Sequence, residues 1–521
     1  MGKESFISYL KSISAENSGK PQGYSKGMEV IEAIFFSKAL TDSVDVWNFI
    51  TLDNIDALRE VVLREQKNDD GIFKDYKPVS YWRDGFCSAA LNAYKSFLLK
   101  NRNTTHQPPV QKIEASLVDE NVTCLPKPFL LLAGISGTGK TRFVREQAKA
   151  SAALYGMTEG DNYCLVPVRP DWHEPSDLLG YISRIGTGGT RYVTTDLLRF
   201  VVAAWKHIAT QIIQEPQGSI SPFWLCLDEM NLAPVEQYFA DYLSILETRK
   251  WEDGAYSCDP LLKPAVIQQQ LDDSGRDDLW AKLGLAGDDP LSIGLRENFS
   301  ANGIPLPYNL IVAGTVNMDE TTHGFSRKVI DRALTIDFGE FFPNNYDGYY
   351  DADKKVTDKT LNFPRLSRVN SENDLAKVSA DPDGRKTIGF LTAINVVLTA
   401  TPFELAYRAL NEALVSVACF KPTNETELQA VWDDFLMMKV LPRIEGDAEK
   451  LSFDGSESLL TRLKSVLKNQ LPNIWEGKNR PDLLRKAVSG AVEPLVLCRS
   501  KSKLDWMQSR LASNTFTTFW P

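Results

Sequence analysis

A glycine-rich segment that ends in a lysine and a threonine is the part of this sequence best suited to chemistry. The segment runs from Gly134 to Thr141 as GISGTGKT, and five apolar residues, 129–133, precede it. Glycines allow backbone N–H groups to turn inward around phosphate oxygens, and a following helix adds the positive end of its dipole. We expect a buried strand before the segment and a helix over 142–153 after it, which together predict a phosphate-binding P-loop.

This pattern assigns a role to each part of the predicted loop. The Lys140 ammonium would reach the β- and γ-phosphates of a nucleoside triphosphate, and the Thr141 hydroxyl would bind Mg²⁺. A glycine-rich turn that matches by chance is the alternative, and the order of strand, loop and helix argues against it. The predicted nucleotide contacts form one run of the chain: Gly134, Ile135, Ser136, Gly137, Thr138, Gly139, Lys140, Thr141 and Arg142.

Two carboxylates and an amide follow other apolar runs. Asp228 and Glu229 come directly after residues 223–227, and Asn317 follows residues 309–316. Phosphoryl transfer needs one carboxylate to hold the magnesium shell and another to orient the attacking water, roles that suit Asp228 and Glu229 respectively. Asn317 would reach the γ-phosphate or its water from a neighbouring strand. An exposed acidic strand end and a turn asparagine are the alternatives, and the combination with the P-loop disfavours them.

Composition sets limits on the class of protein. The 521 residues are 43% hydrophobic and 24% charged, which is typical of a globular protein of roughly three domains. The net charge of −10 does not favour nucleic-acid binding by the whole chain. No stretch approaches the apolar length of a membrane span, and the first ten residues lack the apolar core of a signal peptide. Seven scattered cysteines without a C-x-x-C pair predict reduced thiols in the cytoplasm, without a zinc site.

The order of apolar patterns predicts an α/β protein with a parallel sheet and a helical lid, preceded by a small, mainly helical domain. Residues 181–195 read as a hairpin, whose Arg184 and Arg191 could touch a polymer or a partner. Predicted strands cover 129–133, 163–168, 223–227, 310–315 and 334–338, and predicted helices cover 28–39, 54–65, 86–99, 403–418, 456–471 and 501–512. The expected organisation is a helical recognition or adaptor domain (1–100), a linker (101–125), a nucleotide-binding domain (126–385) with insertions at about 251–307 and 339–385, and a lid (386–521).

Around the chemical residues the sequence resembles the McrB branch of the AAA+ ATPases. The run DEMNLA at 228–233 resembles the DE-x-N-x-A element of that branch, and GTVN at 314–317 resembles its sensor-1 strand. FELAYR at 403–408 resembles the sensor-2 helix, and KVLPRIEG at 439–446 resembles a further lid element. The segment 172–180 resembles a region shared with MoxR-like and dynein-like relatives. These motifs occur in family order, and the resemblance does not extend to the first hundred residues.

The resemblance implies a P-loop NTP hydrolase with sheet order 5-1-4-3-2, working as a homo-oligomeric ring that is usually a hexamer. It implies Mg²⁺ and ATP as the default nucleotide, with GTP as the alternative. An arginine from the neighbouring subunit would complete each site, with Arg332 as the first candidate and Arg327 as the second. Arg408 would contact the γ-phosphate from the lid. The sequence departs from McrB in having a single arginine before the fifth strand and Thr321 in place of an arginine.

By resemblance, the protein would drive a McrC-like partner nuclease in DNA restriction or antiphage defence, since no nuclease pattern stands outside the predicted ATPase core. DNA would be bound through residues 1–100 or the assembled complex, without membrane contact. One alternative is a MoxR-like or dynein-related ATPase that remodels protein complexes. The other is a nucleotide-gated binding scaffold without turnover, which the presence of Lys140, Asp228 and Glu229 disfavours. His173 and His323 are expected in loops without a catalytic role.

Overall fold

The computed structural model describes residues 6–7, 9–11, 24–31, 55–65, 67–68, 73, 85–105, 122–185, 189–214, 220–252, 255–318, 324–344, 346, 356–453, 457–488 and 492–520. These residues fall into two units, Met1–Pro109 and Val110–Pro521. In the part of the chain that is described, no helix is both long enough and apolar enough to cross a membrane.

The N-terminal unit is helical, as its apolar spacing predicts. Its two longest described helices are α1 (Ile55–Glu65) and α2 (Phe86–Thr105), and residues 24–31 are also helical. Tyr94 of α2 packs edge-on against Phe6, with ring centroids 5.1 Å apart, inside a buried apolar cluster. Helix α2 continues six residues beyond the predicted end at 99. Most of the helix predicted over 28–39 lies outside the described residues.

Strands and helices alternate through the first half of the second unit, as an α/β domain requires. Three short turns are also helical: the 3₁₀ turns Met230–Leu232 and Glu372–Leu375 and the π turn Val266–Gln270. In chain order the elements are β1 (Val122–Cys124), β2 (Phe129–Gly134), α3 (Lys140–Leu154), β3 (Tyr163–Pro167), α4 (Pro175–Leu179), β4 (Tyr181–Ser183), β5 (Arg191–Val193), α5 (Asp196–Gln214), β6 (Phe223–Asp228), α6 (Val235–Tyr238), α7 (Ala240–Leu246), β7 (Lys250–Glu252), β8 (Ala255–Ser257), β9 (Pro260–Leu262), α8 (Asp273–Lys282), α9 (Pro290–Asn302), β10 (Ile304–Pro305), β11 (Leu310–Asn317), α10 (Arg327–Ile330), β12 (Leu334–Asp337), α11 (Phe338–Phe341), β13 (Val356–Asp358) and β14 (Thr360–Asn362).

Five of these strands form the central sheet, in the order β12-β2-β11-β6-β3, with every neighbouring pair parallel. In family numbering this is 5-1-4-3-2, so the predicted fold class is confirmed. Every residue of β2 and β11 is buried, because helices cover both faces of the sheet. The register pairs Asn317 with Gly134 and Pro167 with Asp228, so the carboxyl ends of the strands meet at one edge.

The stretch at 251–307, predicted as an insertion, contains two helices and short antiparallel pairs. Helix α8 packs against β5 so closely that a Cβ on Gly275 would lie 2.1 Å from the carbonyl oxygen of Thr190. Within residues 339–385, the described residues 356–362 form two short strands that pair with other parts of the unit. Strand β14 pairs with β1, and β13 pairs with lid strand β19 (Arg485–Ala487).

The lid is mainly helical, as expected, but short strand pairs join its helices. Its first amphipathic helix begins at Tyr407 instead of the predicted 403, because Ala406 is extended with φ −108° and ψ 178°. The lid elements are α12 (Arg385–Leu398), α13 (Tyr407–Phe420), α14 (Glu425–Phe435), a π turn (Leu436–Val440), a 3₁₀ turn (Leu441–Arg443), β15 (Glu445–Asp447), β16 (Ser452–Phe453), β17 (Glu457–Ser458), α15 (Leu459–Gln470), β18 (Arg480–Pro481), β19, β20 (Leu495–Val496), α16 (Arg499–Asn514) and β21 (Phe516–Thr518).

A buried ion cluster lies inside the lid. Arg480 is fully buried, and its Nε lies 2.8 Å from Asp433 Oδ2, while its Nη2 bonds Asp434. Arg499 bridges Asp434 and Asp482, with both N–O distances at 2.9 Å. Burial opposes the charge of Asp433, but Arg480 and the hydrogen bonds from Ser500 outweigh it and lower the pKa of that carboxyl. The cluster ties α14, β18 and the start of α16 together.

Candidate functional site

Backbone conformation explains the glycines of the loop between β2 and α3. Gly137 has a φ of 78° and Gly139 a φ of 90°, both in the left-handed region that favours glycine. No atom lies within 4 Å of a Cβ built at either position, so conformation rather than space calls for glycine. Helix α3 begins at Lys140, directly after this turn, so its first N–H groups face the loop. The strand and the helix expected around the loop are both present.

Lys140 lies inside this loop and holds it closed. Its side chain is buried, and its ammonium donates to the carbonyl oxygens of Gly134 at 3.0 Å and Ile135 at 2.7 Å. The Thr138 hydroxyl donates to the same Ile135 oxygen at 3.0 Å. The cation is therefore placed at the mouth of a turn whose N–H groups suit an anion.

Asp228, at the end of β6, accepts hydrogen bonds from two hydroxyls. Thr141 Oγ1 lies 2.6 Å and Thr315 Oγ1 lies 2.8 Å from the same carboxylate oxygen, Asp228 Oδ1. A hydroxyl and a carboxylate oxygen are the kinds of oxygen ligand that Mg²⁺ prefers, and here the two lie next to each other. The side chains of Thr141 and Asp228 therefore fit the predicted magnesium site.

Glu229 is held beside Asp228 in an unusual conformation. Its φ of 53° and ψ of 52° are left-handed, which is costly for a non-glycine residue and is typical of functional sites. Its backbone N–H donates to Thr315 Oγ1 at 2.9 Å, and Asn317 Nδ2 donates to its Oε1 at 3.3 Å. Two residues of β11 on one face thus orient Glu229, one through its backbone and one through its carboxylate.

The segment after Glu229 is anchored to β11. Asn231 Nδ2 donates to the Asn317 carbonyl oxygen at 3.1 Å, and the Tyr238 hydroxyl donates to the Met230 carbonyl oxygen at 3.0 Å. A Cβ on Gly314 would lie 2.4 Å from the Met230 sulfur, so any larger residue there would displace the Met230 side chain. These contacts fix the two carboxylates relative to the neighbouring strand.

Two neighbouring groups stay protonated and leave the negative charge of the site to its carboxylates. Burial raises the pKa of Tyr163 to about 12, and Cys226 adds to this effect. Burial, with a smaller contribution from Asp228, raises the pKa of the Cys226 thiol to about 12. Neither group can act as a base near neutral pH.

Arg332, predicted to complete the site of a neighbouring subunit, and Arg408, predicted to act from the lid, form a second group. Arg332 Nε lies 2.9 Å and Arg408 Nη2 lies 2.6 Å from the same oxygen, Glu247 Oε1. Glu247 follows α7, and Arg332 also donates to the Lys328 carbonyl oxygen at 3.3 Å. Among the described residues, the ion pairs of both arginines go to Glu247 and not to the carboxylates of the P-loop group.

Other predicted positions make contacts outside these two groups, although Arg327 lines one pocket together with Asn317. Arg327 donates to the Pro402 carbonyl oxygen at 2.8 Å and lies over the Phe403 ring, between the sheet domain and the lid. His173 is an exposed loop residue whose backbone N–H donates to Asp177. Strands β4 and β5 form the predicted hairpin, and Arg184 and Arg191 are exposed on it.

Three features named in the sequence analysis lie outside the described residues: Thr321, His323 and the hairpin tip 186–188. All seven cysteines, which are described, are free thiols. Among the residues that the structure describes, no group of three or more His, Cys, Asp and Glu side chains could hold a metal ion.

Three groups with clear contacts at the site have no role in the sequence analysis: Thr315, Glu247 and Lys439. Thr315 could have been found, because alternation along a strand places it on the same face as Asn317. Glu247 gives no signal in the sequence, since its arginine partners lie 85 and 161 residues away along the chain. Lys439 is part of a recognised motif, but the motif does not tell which atoms its ammonium meets.

Two family models match the chain. Residues 129–268 match the AAA domain (dynein-related subfamily), which includes the P-loop, Asp228 and Glu229. Residues 366–516 match a domain of unknown function, DUF8727, which covers most of the lid. No curated protein matches the chain. The match and the sheet order together show that the chain carries an AAA+ ATPase domain.

Proposed function

We propose that this chain is the ATP-hydrolysing subunit of a McrB-like hexameric ring that drives a partner nuclease in DNA restriction or antiphage defence. The observation that carries the proposal is the convergence on Asp228 and Glu229. Two threonine hydroxyls meet one Asp228 oxygen, and Thr315 and Asn317 orient Glu229. A scaffold without turnover would have no use for an oriented second carboxylate.

Each side chain then has one task in hydrolysis. Lys140 and the backbone N–H groups of the loop bind the β- and γ-phosphates. Thr141 and Asp228 would hold Mg²⁺, which would supply positive charge to neutralise the phosphate oxygens. Glu229 orients the attacking water, and Asn317 keeps the Glu229 carboxylate in place. The nucleotide contacts are completed by the exposed residues Ile135, Ser136, Gly137, Gly139 and Arg142, together with Thr138.

The site in one subunit needs an added cation, because charge develops on the γ-phosphate as it is transferred. Arg332 and Arg408 form a pair on Glu247, away from the carboxylates of their own subunit. We therefore place Arg332 in trans, facing the nucleotide of the next subunit, with Arg408 beside it. AAA+ proteins commonly assemble as rings, which provides this neighbour.

The partner and the nucleic acid are assigned by resemblance to McrB. Since the chain carries no nuclease pattern, cleavage would belong to a McrC-like partner. The net charge of −10 makes tight, unassisted DNA binding by the ATPase domain unfavourable, because such binding rests on neutralising phosphates with Lys and Arg. Recognition would then use the N-terminal unit or the assembled complex.

The match to the dynein-related AAA subfamily supports one rival function, the remodelling of a protein complex. A remodelling ATPase would share the nucleotide site but would respond to a protein rather than to DNA. The GTP preference of McrB is a separate question, because none of the contacts described above reads the base.

Steady-state turnover of ATP and GTP by the purified protein, with Mg²⁺, with and without duplex DNA, tests the proposal. We expect Mg²⁺-dependent ATP hydrolysis that DNA increases. Glu229→Gln should bind ATP normally and lose at least about a hundredfold in kcat. Lys140→Ala should lose binding. A hydrolysis rate that DNA does not change would favour the remodelling function. Turnover by Glu229→Gln at the wild-type rate would overturn the assignment of Glu229 as the residue that orients the attacking water.

A further inference from the structure

The backbone on either side of Arg332 is held by a lysine from the lid. Lys439 Nζ donates to the carbonyl oxygens of Asp331 and Ala333, both at 2.8 Å, and lies 3.3 Å from that of Ile330. These carbonyls follow the short helix α10, where a helix end leaves carbonyl oxygens without intrahelical partners. One ammonium with three N–H donors is matched to them. The lid therefore contacts the backbone on both sides of Arg332.

Lys439 is itself fixed by a buried carboxylate. Its side chain is 6% exposed and lies 3.0 Å from Glu412 Oε2, whose side chain is 9% exposed. Burial opposes the charge of Glu412, but Lys439 and Lys127 outweigh it and lower the pKa of that carboxyl. Lys127 also bonds Glu412 and donates to the Asp331 carbonyl oxygen at 3.0 Å. The group is thus a buried carboxylate that contacts two lysines beside the Arg332 segment, and burial, together with Lys439, lowers the pKa of Lys127 to about 7.

A single lid helix links this cluster to the side chain of Arg332. Glu412 and Arg408 are four residues apart on α13 and therefore lie on the same side of it. Arg408 shares Glu247 with Arg332, while Glu412 holds Lys439 against the carbonyls. A further ion pair from the lid, Arg443 to Asp331 at 3.1 Å, holds the same segment. Movement of the lid would therefore move the backbone that aims Arg332.

We propose that Lys439 is a positioning residue for Arg332: from the lid, it sets the backbone that presents this arginine to the neighbouring subunit. The inference rests on the proposed function, since it needs hydrolysis completed in trans. Its consequence is that lid position in one subunit controls hydrolysis in the next. A misplacement of a catalytic group by about 1 Å can lower the rate about a hundredfold. The contacts of Lys439 can therefore affect turnover although Lys439 touches no substrate.

Mixed rings of full-length subunits give the test. Lys439→Met removes the ammonium, and we expect it to lower turnover by about ten- to a hundredfold, with binding of a fluorescent ATP analogue unchanged within about twofold. Its own P-loop remains intact, so mixing it with Lys140→Ala, which retains its arginine, should restore activity. Mixing it with Arg332→Ala should restore none, because neither subunit then presents a positioned arginine.

The same mixtures separate the alternatives. If Lys439 served the P-loop of its own subunit, Arg332→Ala would rescue it and Lys140→Ala would not. If the substitution only damaged the fold, neither mixture would recover. Either pattern overturns the proposal. Recovery of activity in the reference mixture of Arg332→Ala with Lys140→Ala would show that a neighbouring subunit completes the site. If the reference mixture did not recover, the proposed function would be contradicted as well.

Two further variants keep the test sharp. Lys503→Met is the matched control, because Lys503 is also 6% exposed in the lid but binds the side chain of Asp337, at 2.6 Å, on β12. Its loss should not produce the arginine-like rescue pattern. If Lys439→Met does not fold, Glu412→Gln replaces it: the shape is kept while the charge that holds Lys439 is lost. We expect Lys140→Ala, and not Arg332→Ala, to restore the activity of Glu412→Gln. The opposite pattern would refute the positioning role of Lys439.

Discussion

At the scale of single residues, the candidate site depends on a threonine that touches no expected substrate atom. Thr315 accepts the backbone N–H of Glu229 and donates to Asp228 Oδ1, so one hydroxyl fixes both carboxylates. Its own geometry is fixed in turn, because it is a buried residue of a central strand. The left-handed conformation of Glu229 is maintained by such contacts rather than by its own preference.

We predict that Thr315→Val lowers kcat by about tenfold or more while leaving ATP binding within about threefold. Valine keeps the shape but leaves the Glu229 N–H without its acceptor and removes one of the two hydroxyl donors to Asp228, which costs about 1–3 kcal/mol. Steady-state kinetics with a binding titration would measure the two effects separately.

The matched control is Thr335→Val in β12. Thr335 is also a fully buried strand threonine, but its hydroxyl meets no hydrogen-bond partner among the described residues. Its replacement should leave turnover unchanged and should not lower the thermal midpoint. Equal losses of kcat in both variants would mean that Thr315 acts through packing and not through its hydroxyl.

The residues that lie in contiguous motifs could be predicted from the sequence. Lys140, Thr141, Asp228, Glu229 and Asn317 were each predicted from a motif or from the end of an apolar run, and the structure brings them together at one edge of the sheet. The interactions between them were less accessible. Which hydroxyl meets which carboxylate oxygen depends on the register of β11 against β6, and no spacing in the sequence fixes that register.

At the scale of elements, the sheet was predictable and the interior of the lid was not. Long apolar runs mark parallel strands buried on both faces, so the existence of the strands could be anticipated, whereas their order was implied by the resemblance to McrB. The lid cluster joins Asp433 and Asp434 to Arg480 and Arg499 across 46 to 65 residues. In the sequence these charged residues look like ordinary surface residues, because the sequence does not reveal which charged side chains are buried.

We predict that Arg480→Met destabilises the lid by about 3–5 kcal/mol, because it leaves buried carboxylates without their partner. Hydrogen exchange of the α14 amides should accelerate by about a hundredfold or more, since exchange reports local opening. The control is Lys468→Met, whose ion pair with Glu476 is solvent-exposed on both sides and should contribute little. Unchanged protection of α14 in Arg480→Met would show that the cluster does not stabilise the lid.

At the scale of the whole molecule, each ATPase site of the proposed ring would combine residues of two subunits. One subunit would supply the P-loop, Asp228 and Glu229, and the next would supply Arg332, positioned by its lid. The described structure gives this division its basis, because Glu247 gathers Arg332 and Arg408 into a group separate from the carboxylates. Residues 1–100 carry no recognised motif, and we propose that they recognise the target of the ATPase.

The most direct measurement of this central claim is ATP turnover by mixed rings of Arg332→Ala and Lys140→Ala subunits. Each variant alone should be nearly inactive, because every interface lacks one of the two groups. In rings assembled at random from equal amounts, about a quarter of the interfaces combine an intact P-loop with an intact arginine. We therefore predict recovery of about a quarter of the wild-type rate in rings verified as mixed. No recovery in such rings, or full activity of Arg332→Ala by itself, would contradict the account.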